Sequence, residues 1–182
     1  ATLRTVHAWH NRLTVPGYLC FGLLTGSLWF HALAHMFGFH TPEMALVVVI
    51  SLFLTFYVKR KYWISIDRRP GPATRESATA LGDIGPVRLL DPPNTTENFV
   101  QREMGYSIAR KHSRRLRRIT FLSYFLIPIL LTGLTSESEP ALAIPGTLLA
   151  ALSASLGVVI ERWLFFAEAK HAVMLYYGAE SA

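Results

Sequence analysis

The sequence predicts an all-α fold, an integral membrane helical bundle with four transmembrane helices. Two observations carry that prediction. Half of the 182 residues (51%) are hydrophobic, with a mean hydropathy of +0.30. Those residues are gathered into four uncharged runs, two of them near the ~20 residues needed to cross a ~30 Å hydrocarbon core. A third observation gives the bundle a direction: 14 of the 18 Lys and Arg fall between Lys59 and Arg118.

The first span is expected from Leu13 to about Phe39 and the second from Met44 to Val58. The third runs from Ile119 to about Leu134 and the fourth from Ala141 to Ile160. The middle two are short by charge-free length and are read as spans from their number and spacing. The organisation is then a first helix pair (1–58), a basic loop (59–118) and a second pair (119–182) with a charged C-terminal end. The short connections GFHTPE and SESEP hold no Lys or Arg. Basic segments stay on the cytoplasmic side of a membrane, so the loop and both ends are expected there, with Glu43, Glu137 and Glu139 opposite.

Within the loop, KRKYW follows span two and RKHSRRLRR precedes span three. Such runs either contact lipid headgroups, at about 1 kcal/mol per basic residue near an anionic surface, or dock a partner through Arg110, Lys111, Arg114 and Arg115. Between them, PGPATRESATALGDIGPVRLLDPPN is Pro- and Gly-rich and reads as turns. A helical pattern resumes over 96–118, with Phe99, Met104 and Ile108 on one side. The net charge of +6 is accounted for by topology and gives no ground for nucleic-acid binding.

Small residues let helices approach closely in lipid. Span one carries Gly22 and Gly26, and span four a stripe of Gly146, Ala150 and Ala154 with Ser153 and Gly157 beside it. Pro128 and Pro145 are expected to kink or start helices. The lone cysteine, Cys20, excludes an intrachain disulfide and a Cys-ligated cluster within this chain.

Ionisable groups inside a span are costly and mark function by default. His31 and His35 lie four apart on one face of span one. That spacing places them poorly for clamping one haem from both sides, and it leaves quinone hydrogen bonding or neutral packing open. On the last helix, at about 100° per residue, Glu161 at 0°, Glu168 at about −20° and His171 at about −80° share a flank. Arg162 and Lys170 point elsewhere. Two carboxylates and an imidazole can pass protons, or they can be a helix end reaching for headgroups. Glu161, Arg162, Glu168, His171 and His10 are the quinone or proton-path candidates, and no metal site is expected.

Three stretches, VHAWHNRLTVPGYLCFGLLTG, LLDPPNTTENFVQREMGYSIARKHSRRLRRI and ERWLFFAEAKHAVMLYYG, together resemble the C-terminal half of the membrane-anchor subunit of dimethyl sulfoxide reductase-type molybdoenzymes. The resemblance implies the last four of about eight spans, so the chain, which opens without Met, is expected to be a fragment. It also implies a bacterial inner-membrane subunit that carries no haem and exchanges electrons with menaquinone or ubiquinone. The implied partners are a four-cluster iron–sulfur subunit and a molybdopterin catalytic subunit, which hold the remaining cofactors. A transporter or channel, and a haem-bearing cytochrome b subunit, are the competing classes.

Overall fold

A computed structural model describes residues 6, 8–68, 74–91, 96, 111–169 and 175. These residues are helical throughout the long elements and form no β-strand, only isolated bridge residues at Val6 and Thr74. Four helical segments are long and apolar enough to cross a membrane: Thr14–Phe37, Pro42–Asp67, Ser113–Thr135 and Pro140–Ala167.

The first is α1 (Thr14–Phe37), closed by Gly38 at φ 74°. Only a residue tolerant of the left-handed region fits there; it lets the Phe39 N–H reach back to the Ala34 carbonyl at 3.0 Å. After Thr41, α2 (Pro42–Asp67) starts on a proline, whose missing N–H costs nothing in a first turn. It runs nine residues beyond the expected end at Val58, so Lys59 belongs to the helix rather than to the loop. A short α3 (Arg75–Thr79) follows, with a reciprocal cap between Thr74 and Ser77.

The third span has three parts: α4 (Ser113–Phe121), a π turn (Leu122–Leu126) and α5 (Ile127–Thr135). The π turn sits immediately before Pro128, where the absent N–H breaks the normal hydrogen-bond ladder. The expected kink is thus taken up as a wide turn. Only the last part of the helix expected over 96–118 is seen, as α4, because 97–110 lie outside the described residues. Finally α6 (Pro140–Ala167) again starts on a proline and carries Pro145 inside.

The helices form a ring. α1 packs along α2 and α6, α6 packs along the whole third span, and α2 meets the third span at the π turn and α5. The interior joins Phe21, Leu24 and Leu28 of α1 to Val48 and Leu52 of α2, Tyr124 of the π turn, and Ala150, Ala151 and Ala154 of α6. Leu19, Leu134 and Val159 are 65–70% exposed, as residues facing lipid would be.

The small-residue expectation divides. On α6 it holds: a Cβ at Gly157 would lie 2.7 Å from the Tyr124 backbone nitrogen, and one at Gly146 would overlap the methyl group of Thr135. On α1, Gly22 and Gly26 are exposed, with nothing within 4 Å of a built Cβ. They face away from this bundle.

Candidate functional site

All four spans bring one end toward the basic segment, and six charged side chains of that end pair in two groups. The deeper group lies inside the bundle. Lys59 of α2 and Glu161 of α6 are buried, at 4% and 1% exposure, and form an ion pair through Lys59 Nζ and Glu161 Oε1. The other carboxylate oxygen, Oε2, accepts from the guanidinium of Arg162. One carboxylate thus serves two cations. Charge in a low-dielectric interior must be paired and hydrogen-bonded, because an isolated ion there is prohibitively costly.

Aromatic faces complete the neutralisation. Lys59 Nζ lies 4.1 Å from the Tyr62 ring centre and 5.0 Å from that of Trp63. The Arg162 guanidinium stacks 3.9 Å over Tyr18, with Phe165 and Phe21 at 5.1 and 5.3 Å. Such contacts contribute about 2 kcal/mol each when desolvated. Tyr62 itself donates to the Ala8 carbonyl at 3.1 Å. Beside Lys59, Tyr62 and Arg162, with Thr14 and Gly17, lies a cavity of about 10 Å³, close to the volume one water needs.

The second group closes the helix ends. Arg117 of α4 grips Glu168 with two parallel bonds, Nε to Oε1 at 2.9 Å and Nη2 to Oε2 at 3.1 Å. Its Nη1 reaches Asp67, at 2.8 Å to Oδ2, and its plane lies 5.5 Å from the Trp63 ring centre. The planar fork of arginine suits this clamp, which ties α2, α4 and the C-cap of α6 together.

Next to the triad, Trp9, Thr14, Val15, Tyr18, Leu19, Phe165 and Phe166 line an open groove of about 320 Å³. Trp9 is fixed there by its Nε1–H donating to the Phe165 carbonyl at 3.2 Å. Its ring stacks on Phe165 and meets Phe166 edge-on. The groove shares Thr14 and Phe165 with the small cavity, so its inner wall adjoins the buried cations.

The structure brings Glu161 and Arg162 into one centre. Arg162, expected to point elsewhere, turns its guanidinium back onto its sequence neighbour. Glu168 lies on the clamp, 15% exposed. His10 is exposed in the turn leading to α1, its N–H bonded to the Val6 carbonyl. Lys111, Arg114 and Arg115 are exposed at the start of the third span. His171, Lys170 and Arg110 lie outside the described residues. Lys59 and Arg117 were missed, both counted as members of basic runs. The signal for Lys59 was its place four residues after Thr55, itself four after Ser51, on one helix face.

At the opposite end, His31 is buried and His35 half-buried, with ring centres 4.7 Å apart. His40, exposed in the α1–α2 connection, stacks on His35 at 4.1 Å. Among the described residues no group of three or more His, Cys, Asp or Glu is placed to hold a metal ion.

These features define a helical bundle of membrane-spanning dimensions with an ion-paired, aromatic-lined basic end. The chain is 28% identical over 184 residues to one of the subunits of sulfite dehydrogenase from Allochromatium vinosum. That alignment covers 97% of this chain and 54% of the relative, so the chain spans about half the relative's length. No family model and no solved structure matches it.

Proposed function

We propose that the chain is the membrane-anchor part of a molybdopterin oxidoreductase complex in a bacterial inner membrane. The observation that carries this reading is the likeness to a sulfite dehydrogenase subunit along nearly the entire chain, through all four spans. In this reading the basic end faces the cytoplasm and holds a four-cluster iron–sulfur subunit, which passes electrons to or from a molybdopterin subunit. The exposed cations Lys111, Arg114 and Arg115, together with Arg110, form the docking surface.

The electron partner within the membrane is menaquinone or ubiquinone. The groove between Trp9, Tyr18, Phe165 and Phe166 suits a flat ring entering from lipid. Arg162 lines the small cavity that shares Thr14 and Phe165 with the groove, and its Nη1 is buried without a hydrogen-bond partner among the described residues; a quinone oxygen is an acceptor of the kind it lacks. Glu161, Glu168, His10 and His171 are the groups through which protons would reach that headgroup. Both carboxylates are held by cations in the structure.

The docking part of the reading is tested by replacing Arg110, Lys111, Arg114 and Arg115 with Ala in the complex. The iron–sulfur subunit is expected to leave washed membranes, with the anchor itself still inserted. Retention of that subunit at moderate salt would overturn this assignment of the basic run.

A further inference from the structure

The seam between α1 and α2 carries a file of polar side chains that the anchor reading does not use. On α1, Ser27, His31 and His35 follow one another at intervals of four residues, and on α2 so do Ser51, Thr55 and Lys59. Residues four apart stack on one helix face with Cβ atoms about 5–6 Å apart. The two rows join in mid-bundle, where the Ser27 and Ser51 hydroxyls are 3.0 Å apart. One end of the file is His40, exposed and stacked on His35. The other end is Lys59, paired to Glu161.

His31, Ser51 and Thr55 are each 1% exposed. Hydroxyls alone would be unremarkable, since they bond to the preceding turn: Ser51 donates to the Val48 carbonyl, and Thr55 to the Ser51 carbonyl. The histidines are different. Neither nitrogen of His31, nor Nε2 of His35, has a hydrogen-bond partner among the described residues. A buried imidazole that finds no protein partner is a costly feature to retain for packing.

We propose that this seam is a proton-access path leading from the hairpin end of the bundle to Glu161. An imidazole takes a proton on one ring nitrogen and releases one from the other, and a hydroxyl accepts and donates at the same oxygen. Each group therefore passes on one proton for every one it receives, and where neighbours are not in direct contact a bridging water is required, which serves at about direct hydrogen-bond strength. The path stops at the triad. Lys59 and Arg162 against one Glu161 leave a net positive charge, and fixed cations exclude protons from a pore. Tyr62 from α2 and Tyr124 from the third span also border this end, and neither adds a charge. Glu161 is thus the terminus, and its two cations close the bundle against leak.

The test needs no redox turnover, so its failure is separate from failure of the anchor reading. Full-length protein is placed in phosphatidylethanolamine–phosphatidylglycerol vesicles containing a pH dye, and a valinomycin–potassium potential drives proton uptake. Wild type should match empty vesicles. Lys59→Met leaves a neutral Glu161–Arg162 pair, and uptake should rise at least about tenfold once the excess positive charge is gone. Adding Thr55→Val, which keeps shape but removes the hydroxyl, should return uptake to the wild-type rate. If Lys59→Met does not assemble, Lys59→Gln, which keeps a hydrogen bond to Glu161, takes its place. Uptake no faster than wild type in the Lys59 variant, or undiminished by Thr55→Val, would refute the path.

Discussion

The two helical hairpins of this bundle are joined in opposite ways. In the first, α1 and α2 meet through hydroxyls, Ser27 on Ser51 and Thr55 on the Cys20 carbonyl at 3.1 Å, with the buried His31 one turn beyond Ser27 on α1. In the second, the third span and α6 meet mainly by close approach, with Gly157 against the Tyr124 backbone, Ala150 and Ala154 in the same core, and a single hydroxyl tie from Ser153 to the Ser123 carbonyl at 2.9 Å. Lipid offers no hydrophobic drive between helices, so association rests on close packing or on polar contacts. The packed seam has no room for chemistry. The polar seam carries hydroxyls and imidazoles, groups that both accept and donate protons.

The largest expected effect comes from the joint between the hairpins. Glu161→Gln keeps size and one hydrogen bond but strands the buried Lys59 and the partly buried Arg162 without a counter-charge. Breaking such a pair costs roughly 3–5 kcal/mol. The variant should fail to accumulate in membranes or unfold at a much lower temperature in detergent; wild-type behaviour would show that the two hairpins cohere without it.

Next is the packed seam. Gly157→Ala places a methyl where the backbone of Tyr124 already stands, and overpacking of this kind costs about 1–3 kcal/mol. Thermal unfolding in detergent should show the loss. Gly22→Ala, on the outward face of α1, should show little in the same assay, and an equal effect at both sites would erase the contrast between the two glycine faces.

The smallest effect is expected in the polar seam. Ser51→Ala removes the Ser27 contact, and interhelical hydrogen bonds in membranes average about 0.6 kcal/mol. A stability change well above that would make Ser51 chiefly a structural tie.

Much of this arrangement was legible in the sequence. Four apolar runs and two short connections fixed the number of helices and their alternation, and the stripe Gly146–Ala150–Ala154, with Gly157 beside it, named the packed face of α6. Glu161 was recognisable as the deepest charge of the last helix. Its partner on α2, Lys59, was not. Counting uncharged residues ended span two at Val58, because a lysine halts any such count, and the carboxylate that pairs this one inside the bundle stands 102 positions away. Arg117 was hidden for a similar reason: among six cations in RKHSRRLRR, nothing local singles out the one that finds Glu168 and Asp67. Gly22 and Gly26 misled in the other direction, since spacing says that a face is small and not which neighbour it meets.

The distance between Lys59 and Glu161 along the chain also sets a schedule for biosynthesis. A ribosome adds about 5–20 residues per second, so Lys59 emerges roughly 5–20 s before Glu161 exists. Through that interval the first hairpin must hold its lysine at the headgroups, where a long aliphatic stem can reach water. Only when the last of the four spans inserts can the amine be drawn inward, so closure of this bundle has to wait for α6.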